Sequence, residues 1–244
     1  SAASDVYKRQ VYCLCGWYVF VSLEYTTSHT HTHTQTHLGT EGETTGHGTH
    51  VTGSVLGKID NSGACATSCG ALNGGAATAD KYQGNAYEAK VAFFDIGLPN
   101  ARFLNVPNNM FTMTEPAYRV GARIHTNSWG SSSNSYTSSS YYFDLYSFEN
   151  QDFLVTIAAG NDGSASTASD GTLGSPATGK NVLSVGAGEQ TEEFWQDLGI
   201  NCDDCDDNDI ASFSSRGPAY DGRVNPQVIA PGHLIGSASS TPTS

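Results

Sequence analysis

Residues 152–160 read DFLVTIAAG and are followed at once by Asn161, Asp162 and Gly163. From Phe153 onward the run lacks the polar alternation of a strand that is wetted on one face, so it reads as a strand covered on both sides. Such strands belong to parallel sheets, where helical crossovers shield both faces. Three other runs share this character: residues 89–97 (AKVAFFDIG), 124–130 and 181–188. Helical spacing fills the intervals. Residues 114–123 open with Thr114, Glu115 and Pro116 and set Ala117, Val120 and Ile124 on one face, while residues 138–150 carry Tyr142, Leu145, Tyr146 and Phe148 as a bulky side. The alternation predicts an α/β fold with a mainly parallel central sheet. Sites in such sheets lie in loops at the carboxyl ends of the strands.

The chain has 244 residues, 38% apolar and 10% aromatic, enough for one large globular domain. Its 24 acidic and 11 basic residues give a net charge of -13, which disfavours a nucleic-acid backbone as partner because phosphate binding needs Lys and Arg, and we expect no DNA or RNA. The six cysteines form three close pairs, Cys13 with Cys15, Cys65 with Cys69, and Cys202 with Cys205. Disulfides, free thiols and metal ligands all fit that spacing.

Residues 11–23 (VYCLCGWYVFVSL) follow Lys8 and Arg9 and resemble the core of a signal peptide more than a membrane span, which needs about 20 apolar residues. Residues 29–37 (HTHTHTQTH) place histidines on one face of an extended chain, a weak metal tract or a translated dinucleotide repeat. We therefore expect residues 1–45 to be a leader, low-complexity or artefactual segment outside the fold, and residues 46–244 to be the domain.

Four motifs carry chemistry in that domain. Residues 46–57 (GHGTHVTGSVLG) allow a tight approach into a helix whose Val51 and Val55 share a face, which leaves His47 at its mouth. Residues 155–163 (VTIAAGNDG) end a strand in Gly160 and Asn161; an Asn there is by itself an ordinary turn residue. Residues 126–130 (TNSWG) sit at another strand end, and residues 211–218 (ASFSSRGP) with 221–232 (DGRVNPQVIAPG) read as a strand with a Pro-Gly turn.

Together, and in the order in which the chain carries them, the four motifs resemble the subtilisin-like serine peptidases, the subtilases. The resemblance implies a three-layer α/β sandwich and a serine endopeptidase acting through a Ser-His-Asp acyl-enzyme. It makes His47 the general base and gives His50 a non-catalytic position. Asn161 becomes the side-chain donor to the oxyanion. Ser128, Trp129 and Gly130, with Ala159 and Gly160, would bind an extended peptide by its main chain and line the primary pocket. No organic cofactor is implied, although calcium is a plausible structural ion. The acidic run from Cys202 to Asp209 does not have the spacing of an EF-hand loop, and we assign no metal ligand. The partners implied are polypeptide substrates, met by a monomer with no membrane span, secreted or extracellular, with lysosome or vacuole as other destinations.

Two expected motifs do not appear. The only aspartate before His47 is Asp5, in SDVYK, and the chain closes on SASSTPTS, where Ser237, Ser239, Ser240 and Ser244 lack the glycine-flanked helix start of a nucleophile. The expectation is therefore a partial peptidase domain, cut before its nucleophile and inactive alone. Two rivals stand beside it: a non-catalytic subtilase-like peptide-binding protein, and a His/Cys-rich metal protein.

Overall fold

In a computed structural model, residues 17–22, 47–57, 84–96, 104–164, 171–197, 206–233 and 235–237 are described. The order is β1 (Trp17–Ser22), α1 (His47–Leu56), β2 (Lys90–Asp95), α2 (Phe111–Arg119), β3 (Ile124–Asn127), α3 (Ser138–Glu149), β4 (Leu154–Ala158), β5 (Leu183–Gly188), α4 (Glu192–Asp197) and β6 (Val228–Pro231). These strands form one sheet in the order β2-β1-β3-β4-β5-β6. The run from β3 through β6 is parallel, as predicted for a mainly parallel sheet.

β1 is the exception. It pairs antiparallel with β2 on one side, Trp17 opposite Asp95, and with β3 on the other, Tyr18 opposite Asn127. Since both neighbours run against it, β2 points the same way as β3, and β1 alone is reversed among the described strands. β1 comes from the apolar run that composition likens to a signal core. An apolar stretch of that length serves equally well as a buried strand, and only its pairing partners distinguish the two.

Helix α3 begins and ends as its spacing predicts. Thr137 caps it in an extended conformation, its side chain accepting from Ser140 N at 3.5 Å. Helix α2 starts one turn earlier than the Thr-Glu-Pro signal indicates. Pro116 lies inside it, and the first turn is held instead by Asn109, whose Oδ1 accepts from Phe111 N at 2.9 Å. The two helices meet over the sheet through a fully buried cluster. Met113 of α2 is 0% exposed, as are Phe143 of α3 and Val155 of β4. Each such side chain contributes about 1.5–3 kcal/mol by leaving water. Edge-on aromatic contacts, Phe111 to Tyr146 at 4.9 Å and Tyr146 to Phe153 at 5.1 Å, fix how α2 and α3 sit on the amino end of β4. This packing leaves the opposite, carboxyl end of the strands for the loops.

Candidate active site

β3 and β4 run side by side with Asn127 opposite Ile157, so residues 128 and 159 leave the sheet next to each other. Helix α1 delivers His47 to the same edge. His47 is the first residue of the helix and only 5% exposed, and its Nε2 lies 3.1 Å from the carbonyl oxygen of Ser128. A ring nitrogen facing a carbonyl carries the proton, so the ring donates through Nε2 as placed. Burial holds the imidazole below its ordinary pKa; the Ser128 bond opposes that shift, and nearby His50 adds to it. The ring is therefore neutral at physiological pH, the form that accepts a proton.

Asn161 occupies the turn at the exit of β4. Gly160 before it has φ +115°, a conformation side chains rarely adopt, and the site a Cβ would fill lies 2.7 Å from Ser215 Oγ. The turn is tied on several sides. Ala159 N donates to Val185 O of β5 at 2.9 Å, Gly174 N donates to Ala159 O at 2.9 Å, and Gly163 N donates to Phe213 O at 2.9 Å.

The 128–131 segment is tied in the same way. Trp129 is buried, and its Nε1 donates to Asn127 Oδ1 at 3.0 Å. Ser131 N donates to Ser175 O at 2.8 Å, while Gly130 is exposed. Trp129 and Gly130 line an open hollow of about 360 Å³ together with Leu104, Val106, Ser131, Thr137, Ser139, Ser175 and Pro176. Of the residues expected to line a pocket, Ser128, Ala159 and Gly160 are not on its wall. Ser128 faces His47, and Ala159 and Gly160 are engaged by Gly174 and Ser215.

Sequence reasoning gave His50 and the closing segment no joint role. His50 Nε2 lies 3.0 Å from the carbonyl of Ile235, and Ser237 Oγ donates to the carbonyl of His50 at 2.6 Å. The stretch after Ala230, Pro231 and Gly232 is thereby fastened to α1 one turn beyond His47. No local pattern announces this contact, which joins residues more than 180 positions apart; the second histidine of the motif was its only trace.

All six cysteines, Asp5, the 29–37 tract and Ser239, Ser240 and Ser244 lie outside the described residues. Of the acidic run, Asp206 turns on its own chain, accepting from Asn208 N at 2.9 Å and Asn208 Nδ2 at 2.6 Å. Among the described residues no three His, Cys, Asp or Glu side chains converge as metal ligands. Nor is any helix among them long and apolar enough to cross a membrane.

Comparison with known proteins agrees with this geometry. The model of the "Subtilase family" matches residues 21–244. Two relatives from Dictyostelium discoideum are named "Serine protease/ABC transporter B family protein": tagD, 30% identical over 80% of this chain, and tagB, 27% identical over 82%. In each, the matched part is 13% of the relative's length. "Serine protease AprX" of Bacillus subtilis is 38% identical over 36% of this chain and 17% of its own. With the family matched over nearly the whole length, the α/β sheet in place and the His47 helix docked at its carboxyl edge, the chain belongs to the subtilase family.

Proposed function

We propose that the protein is a serine endopeptidase, with His47 as its general base and Asn161 as a donor to the oxyanion. One observation carries the reading: His47 is held against Ser128 at the carboxyl end of β3, beside the strand whose exit turn carries Asn161. In the reaction a serine hydroxyl attacks the scissile carbonyl carbon, and its proton passes to His47 Nε2. Asn161 donates to the oxygen that becomes negative, and His47 returns the proton to the leaving amine as the peptide bond breaks. This requires Nε2 to be unprotonated, so the ring must give up its bond to the Ser128 carbonyl and carry the proton on Nδ1, where a carboxylate acceptor would hold it. The nucleophile and that carboxylate are not assigned to residues.

The substrates are polypeptides. Gly130, exposed at the rim of the hollow, supports main-chain pairing with an extended peptide by residues 128–130, and Trp129 supplies an apolar wall for a side chain. Ala159 and Gly160 border the turn that holds Asn161. The reading needs no organic cofactor, and structural calcium enters it only as an accessory ion. It further takes residues 46–244 together with β1 as the catalytic unit, because β1 lies between β2 and β3 rather than outside the fold as expected for residues 1–45. It takes the protein as a monomer located outside the cytosol, for which the acidic composition is the support.

The test is hydrolysis of an internally quenched peptide library by the protein that carries this sequence. Subtilisin itself supplies the scale: loss of its catalytic histidine costs about a millionfold in kcat, and loss of its asparagine donor about 100- to 1000-fold. His47→Ala should abolish turnover and Asn161→Ala should lower kcat by that second factor with KM little changed. Hydrolysis that survives His47→Ala would end the proposal.

A further inference from the structure

We infer that Ser215 is a positioning residue for Asn161, gripping the peptide units on both sides of it. The backbone N–H of Ser215 donates to the Gly160 carbonyl at 3.0 Å. Its Oγ accepts from the Asp162 N–H at 3.0 Å. The first contact holds the peptide plane before Asn161 and the second holds the plane after it. Fixing both planes fixes φ and ψ of Asn161, and with them the direction in which its side chain leaves the backbone.

Ser215 is suited to this because it cannot move. It is 1% exposed, and it fills the space above Gly160 where a Cβ would lie. Its own segment is anchored in turn. Ser214 Oγ accepts from Ala187 N of β5 at 3.0 Å, Ser214 N donates to Ala211 O at 2.8 Å, and Arg216 N donates to Thr172 Oγ1 at 2.9 Å. The turn is thereby referred in part to strand β5 of the sheet. A donor to a developing charge is effective when it is already aimed before the reaction, with displacements of about 0.5 Å enough to weaken it.

This inference rests on the peptidase reading for what Asn161 does, while the grip itself is a matter of geometry. Two measurements separate them. In Ser215→Ala, hydrogen exchange at the Asp162 amide should accelerate at least about tenfold, the size of one lost buried hydrogen bond, while the Val155 and Ile157 amides keep their rates. Ser215→Thr, which retains the oxygen, should preserve Asp162 protection and guards against a Ser215→Ala protein that fails to fold. An unchanged Asp162 amide in a folded Ser215→Ala protein overturns the inference, whatever the activity. In peptide hydrolysis, Ser215→Ala should lower kcat about tenfold with KM nearly unchanged, and should add almost nothing in an Asn161→Ala background. Equal losses in both backgrounds would overturn it, because Ser215 would then act by general packing. Exchange that responds as expected in a protein without peptidase activity keeps the grip and removes the function proposed for Asn161.

Discussion

Gly160→Ala asks whether the turn holding Asn161 is built as tightly as its contacts imply. Two costs follow from the structure. The residue has φ +115°, and a side chain in such a conformation costs about 1–3 kcal/mol. The new Cβ would also stand 2.7 Å from Ser215 Oγ and 3.4 Å from Ser215 Cβ. Ser215 is 1% exposed and bonded on both sides of the turn, so it cannot step aside, and overpacking of a filled interior costs about 1–3 kcal/mol more. The sum is about 2–6 kcal/mol, and at about 2–4 °C per kcal/mol for a chain of this size, Tm should fall by roughly 5–20 °C. Urea unfolding at constant m-value is the companion assay. Adding Ser215→Ala removes the colliding oxygen, so the double variant should be less destabilised than the sum of the two single variants. A Gly160→Ala protein within about 1 kcal/mol of the parent, or a double variant that is simply additive, would refute the reasoning.

Asp144 should be nearly as sensitive. Its buried carboxylate accepts from Lys180 N and Asn181 N at 2.7 Å each and from the Tyr136 hydroxyl at 2.8 Å, so Asp144→Ala strands three donors and should cost about 2–4 kcal/mol in urea unfolding. The pH dependence follows from His47, His50 and His125, each held below the ordinary value of 6.5 chiefly by burial. Below that value the unfolded chain binds protons that the folded chain refuses. Their contribution is therefore fully present above pH 6.5 and is lost as pH falls through the folded values. The urea midpoint should drop between about pH 7.5 and 5.5, and a flat midpoint there would contradict the burial of these rings.

The parts of the fold legible in the sequence were those set by local pattern. The runs around Val91, Ile157 and Val185 became strands because mainly apolar residues suit a sheet covered on both faces, and Ile124–Asn127 joined them although His125, Thr126 and Asn127 are polar. The bulky spacing of Tyr142, Leu145, Tyr146 and Phe148 marked α3, and the structure adds Thr137 as its cap. The α2 start was misjudged because Pro116 fits a first turn, yet the helix begins at Phe111, whose N–H donates to Asn109 Oδ1. β1 was unreadable for a different reason: an apolar segment carries no mark of the strands it will join, and its reversed direction depends wholly on β2 and β3. The candidate site divided the same way. His47 and Asn161 lie in motifs readable along the chain, whereas Ser215 lies in one that reads only as a strand and turn. Its grip on the Asn161 turn, like the tie between His50 and Ile235, is made by tertiary contacts that no spacing encodes.

The central claim is that the carboxyl edge of β3 and β4 is where this chain handles a peptide. The most direct measurement is a backbone and side-chain NMR titration of the protein with an uncleavable extended peptide. The account predicts that the largest shifts fall at residues 128–130, at residues 159–161 and on the His47 ring. Shifts that peak elsewhere on the sheet, with these three groups unmoved at saturation, would contradict it.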